Sequence, residues 1–133
     1  MPMLFVVLPV QDLPASRAFY EALGFSVNQH SSDEHTAAVV LADDIVVKLL
    51  VQDAFAGLVA GEPAGPGVAP TAVHCLTVPE RADVDALVER AVAAGGRPGV
   101  PAPEDATSVT GSFTDPDGHA WQVLWMDQLH VVN

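Results

Sequence analysis

The stretch Leu4-Phe5-Val6-Val7-Leu8-Pro9-Val10-Gln11-Asp12-Leu13-Pro14, running on through Phe19-Tyr20 to Leu23-Gly24-Phe25, decides the fold. Leu4 to Val10 is a continuous apolar run, β-branched at Val6, Val7 and Val10, which predicts a short strand. Asp12 stands where a carboxylate accepts hydrogen bonds from the unpaired amides of a helix start. Pro14 falls in the first turn, where its missing N–H costs least. The spacing predicts a helix with Leu13, Ala18, Phe19, Ala22 and Leu23 on one side and Arg17 and Glu21 on the other. Gly24 supplies the left-handed residue that ends a helix, and Phe25 to Val27 begins a new strand. One such unit cannot bury its own apolar faces, so the rest of the chain must supply a partner.

Working outward, His30 to His35 reads as a polar turn, and Thr36 to Leu41 and Ile45 to Val51 as strands joined at Ala42-Asp43-Asp44. Asp53 to Val59 suits one short helical turn. Residues 60–70, rich in glycine and proline, read as a linker. The pattern then recurs. Ala72 to Val78 is a strand, and Asp83 to Ala94 carries Val84, Leu87, Val88, Ala91 and Val92 at helical spacing before Gly95-Gly96. Arg97 to Val100 is a short strand, followed by a loop through Pro101 and Pro103. Ser108 to Phe113 and Ala120 to Met126 flank the turn Asp115-Pro116-Asp117-Gly118. The expected fold is α+β, with two βαβββ modules: residues 1–59, then the linker, then 71–133, within one domain.

Composition narrows the function classes. The formal net charge is −12, from 17 acidic and 5 basic side chains. That field repels nucleic acid and anionic membranes, and at long range it favours a cationic guest. No apolar run approaches the ~20 residues of a membrane span. Gln11-Asp12 interrupts the first apolar run before a signal-peptide core develops. The only cysteine, Cys75, leaves no partner for an intrachain disulfide. A cytoplasmic protein is expected.

The combination of Val10-Gln11-Asp12-Leu13, Ser16, Phe19-Tyr20, Leu23-Gly24-Phe25, the linker, Gly95-Gly96, and Phe113 through Asp115-Pro116-Asp117-Gly118 to Trp121 resembles the vicinal oxygen chelate superfamily. That superfamily includes glyoxalase I, extradiol dioxygenases, fosfomycin-resistance enzymes and bleomycin-resistance binding proteins. The ending from His119 to Asp127 is similar to a bacterial branch labelled "predicted lactoylglutathione lyase". The resemblance implies that each module curls a sheet around a cleft, that the protein forms a homodimer, and that metal-dependent members place ligands on the first and last strands of each module. It puts those four positions at Phe5, Lys48, Val73 and Gln122. Phenylalanine and valine have no donor atom, and a lysine ammonium opposes a cation. Gln122 offers one amide oxygen. His74 is adjacent to one ligand position, but alternation turns it to the other face. His30, His35, His119 and His130 show no ligand spacing. No cofactor is therefore expected, with a divalent metal held through His74 or Gln122 as the alternative.

Strand alternation predicts a ligand-binding cleft lined by Phe5, Val7, Lys48, Leu50, Val73, Cys75, Gln122, Leu124 and Met126. Leu4, Val6, Leu8, Trp121, Val123 and Trp125 are expected to face the helices. An apolar surface with a few polar groups suits a small molecule, aromatic or aliphatic. Lys48, the sole lysine, would serve there as a base, a Schiff-base amine or an anion anchor, or else would extend along the sheet edge into water. Cys75 has no basic partner beside it in sequence, which favours a buried, inert thiol over a nucleophile. Three functions follow as expectations: a non-catalytic binder of a small apolar or aromatic, and on charge grounds cationic, molecule; a glyoxalase-like lyase or isomerase, either metal-dependent or metal-free through Lys48, Gln122 or Cys75; and a structural or partner-binding dimer with a closed cleft.

Overall fold

The computed structural model describes residues 2–65, 68–100 and 107–127. The Pro101–Pro103 loop, Glu104, Asp105 and His130 lie outside them. The chain divides between Val68 and Ala69 into two compact units.

The first unit holds β1 (Leu4–Val10), α1 (Leu13–Ala22), β2 (Ser26–Val27), a 3-10 turn (Gln29–Ser31), β3 (Thr36–Ala42), β4 (Ile45–Val51) and α2 (Gln52–Ala56). Asp12 caps α1, its side chain accepting from the Ala15 amide at 3.1 Å, and Gly24 turns the chain out at φ 101°. The buried stripe of α1 differs from the expected one. Leu13, Ser16, Phe19, Tyr20 and Leu23 are buried, while Ala18 and Ala22 are exposed. Spacings of three and four residues from Leu13 select Ser16 and Tyr20 in place of the alanines. Arg17 and Glu21 pair on the outer side at 3.6 Å.

The strands order β1-β4-β3-β2, with β1 parallel to β4 and the others antiparallel. Leu8, Val10, Val39, Val47 and Leu49 are 0–6% exposed and share one face of this sheet. The register shifts between Val40 and Ala42, and β3 runs on to Ala42 before the turn at Asp43-Asp44. α2 begins at Gln52 directly after β4 and stops before Gly57, earlier than its sequence suggests.

The second unit repeats the order with β5 (Val73–Thr77), α3 (Ala82–Ala93), β6 (Arg97–Pro98), β7 (Ser108–Thr114) and β8 (Ala120–Met126), in the sheet β5-β8-β7-β6. α3 buries Val84, Leu87 and Ala91 against β7 and β8. β6 is shorter than expected, although the Gly99 amide still donates to the Ser112 carbonyl at 2.9 Å. The Asp115–Gly118 turn is fixed by the buried Asp115 carboxylate, which accepts from the amides of Asp117 at 3.0 Å and His119 at 2.9 Å. Between α2 and β5 the described residues form neither helix nor strand. No helix among the described residues is long and apolar enough to cross a membrane. The observed architecture is α+β, built from two open four-stranded mixed sheets.

Candidate functional site

Each sheet has one face under its helix and one face turned away, and strand parity assigns every side chain to one or the other. In the second unit the covered face is identified by Gly111. A Cβ there would lie 2.9 Å from side-chain carbons of both Val84 and Val88 on α3. Gly111 pairs with Val123, so Val109, Phe113, Trp121, Val123 and Trp125 share that face. Trp121 is buried and stacks on Phe113 at 6.4 Å between centroids, and Trp125 carries the Arg81 guanidinium at 4.9 Å. The tryptophans thus join sheet to helix.

The opposite face carries Val73, Cys75 and Thr77 on β5, with Gln122, Leu124 and Met126 on β8. Cys75 stands opposite Gln122, and Gln122 opposite Ser112. In the first unit the equivalent face carries Phe5 and Val7 on β1, Val46, Lys48 and Leu50 on β4, and Ala38 on β3. The two registers match. Phe5 faces Val46, with Lys48 two residues further along; Val73 faces Ala120, with Gln122 two residues further along. The row Val7–Lys48–Ala38 therefore corresponds to the row Cys75–Gln122–Ser112. Ala37, opposite Leu49, occupies in the first unit the place of Gly111, opposite Val123, in the second.

This placement tests whether the four positions suit a divalent metal. Phe5 and Val73 supply no donor, Lys48 supplies a positive charge, and Gln122 supplies one neutral oxygen, so neither sheet offers at these positions a donor set that fits such an ion. His74 does not complete it. The β5–β8 ladder is regular, so His74 pairs with Trp121 on the helix side, their rings 5.0 Å apart. Burial lowers the His74 pKa from its ordinary value, His119 adds to the effect, and Asp115 partly offsets it. Among the described residues no group of three or more His, Cys, Asp or Glu side chains is arranged to hold a metal. His30 and His35 are both exposed, and the His35 imidazole lies 3.9 Å from the Glu34 carboxylate.

One sequence expectation needs correction. Cys75 is exposed rather than buried, because its side chain stands on the uncovered face of β5. Partial desolvation nonetheless pushes its thiol pKa up, which leaves less thiolate at neutral pH and a poor nucleophile. Lys48 stands on β4, which lies between β1 and β3. It is half-buried in the middle of the face. Leu50, expected to line the cleft, and Val46, on the same face of β4, are 6% and 8% exposed. Ala38 and Ser112, which flank Lys48 and Gln122, escaped sequence reading because the register of the hairpins β3–β4 and β7–β8 had to be known first.

A duplicated βαβββ module with matched registers in its two sheets defines the structural class of this chain. The chain belongs to the Glyoxalase/Bleomycin resistance protein/Dioxygenase superfamily, whose family model matches residues 3–123. A hypothetical protein from S. aureus is similar to it at 27% identity and TM-score 0.73, with 94% of each chain covered. A glyoxalase-related enzyme from Fulvimarina pelagi shares its fold at TM-score 0.80 and 24% identity, over 94% of this chain and 88% of that one. A fosfomycin resistance protein from Mesorhizobium loti shares the fold at TM-score 0.70 and 16% identity, over 98% and 97%. No curated protein matches the sequence.

Proposed function

We propose that this member of the superfamily binds a small, largely apolar molecule without a divalent metal and without transforming it. The observation that carries the reading is the donor set Phe5, Lys48, Val73 and Gln122 at matched positions of the two sheets. Metal-assisted chemistry in such a site needs ligands that stabilise a divalent cation and leave positions open for substrate oxygens. Phe5 and Val7 around the Lys48 ammonium on the first sheet, and Val73 and Leu124 around the Gln122 amide on the second, instead favour apolar contact with a few orienting hydrogen bonds. The raised Cys75 pKa also argues against a thiolate mechanism.

The test is a thermal-shift screen of the full chain against small aromatic and aliphatic compounds, run with and without a strong chelator. Stabilisation by a subset of compounds, unchanged by chelation, is the expected result. Absence of any stabilising compound, or stabilisation that chelation abolishes, would overturn the reading.

A further inference from the structure

Lys48 is the only lysine in a chain with 17 carboxylate side chains, yet among the described residues none of those carboxylates pairs with it. Its neighbours on the face are Val7 and Ala38 across the strands and Val46 and Leu50 along its own strand. Lys48 as a residue is half-buried among aliphatic neighbours, and among the described residues its ammonium has no carboxylate partner. Packing does not require the charge, since an aliphatic side chain would suit the same surroundings. Phe5 lies on the same face, one diagonal step away, with its side chain half exposed and available for apolar contact.

From this juxtaposition we infer that the bound molecule is a small apolar monocarboxylate, its carboxylate held by Lys48 and its hydrocarbon or aromatic body laid against Phe5 and Val7. This rests on the small-molecule-binding reading above and names the class of ligand. The ammonium donates charge-assisted hydrogen bonds to the carboxylate, which are stronger than bonds between neutral groups. The net charge of −12 acts on approach and is screened by salt, whereas the contact is decided by the group on the face. A cationic ligand, favoured by net charge alone, would meet repulsion there.

The test uses the full chain labelled with 13C at the lysine Cε, which gives one lysine signal. Phenylacetate, its neutral analogue phenylacetamide and the cation phenethylamine are titrated in turn. Phenylacetate is expected to bind most tightly and to move the Lys48 signal. Lys48→Met should weaken phenylacetate by about tenfold or more and phenylacetamide by far less, and Lys48→Arg should restore most of the loss. The ligand comparison on the unaltered protein stands even if a variant folds poorly. Equal binding of phenylacetate and phenylacetamide, or undiminished phenylacetate binding by folded Lys48→Met, would overturn the carboxylate anchor and leave the apolar-binder reading standing. Failure of all three probes would overturn the anchor, while the wider screen decides the apolar-binder reading separately.

Discussion

Lys48 lies directly opposite Val7 across the β1–β4 pair, just as Gln122 lies opposite Cys75 across β5–β8. The two modules have kept one backbone register while their side chains diverged. On the first sheet the row is Val7–Lys48–Ala38, apolar on both sides of a single cation; on the second it is Cys75–Gln122–Ser112, polar throughout. The two faces therefore offer different chemistry, each on its own sheet.

Close packing of α3 on β7 predicts a stability effect at Gly111. A Cβ there meets Val84 and Val88 at 2.9 Å each, so the helix must move outward or both valines must leave their rotamers. Gly111→Ala should destabilise the protein by about 1–3 kcal/mol, measured by urea unfolding. An unchanged midpoint would mean that α3 does not rest on this strand as described.

The lowered pKa of His74 predicts a pH dependence. Burial and the neighbouring His119 disfavour its protonated form in the folded state, against a smaller opposing effect of Asp115. The unfolded chain titrates this group at roughly 6.5, so between that value and the lower folded value the unfolded state binds more protons. Its favourable contribution is fully present above that window and is lost as pH falls through it. His74→Gln should flatten the decline of unfolding free energy between about pH 7.5 and about pH 5.5 relative to the unaltered protein. Parallel pH profiles for the two proteins would contradict this assignment.

Much of the architecture was legible because local signals agreed with one another. Asp12, Pro14 and Gly24 bracketed α1, and the recurrence of strand, helix and strands around a glycine- and proline-rich linker marked the duplication. Alternation also assigned Lys48 and Gln122 to their faces. The α1 stripe was misread because counting apolar residues favoured alanines over Ser16 and Tyr20, whose polar atoms can be buried once hydrogen-bonded. The exposure of Cys75 was not legible, since alternation gives the face of a strand residue but not what covers that face. The flanking Ala38 and Ser112 required strand register, a non-local property set by turn geometry and a bulge between Val40 and Ala42.

The most direct test of the central claim is metal content. The full chain, expressed with zinc, nickel, manganese and iron supplied and purified without a histidine tag, would be assayed by elemental analysis. With Phe5, Lys48, Val73 and Gln122 at the matched positions, the account predicts no stoichiometric divalent metal. One tightly held ion per chain, lost together with small-molecule binding on chelation, would contradict it.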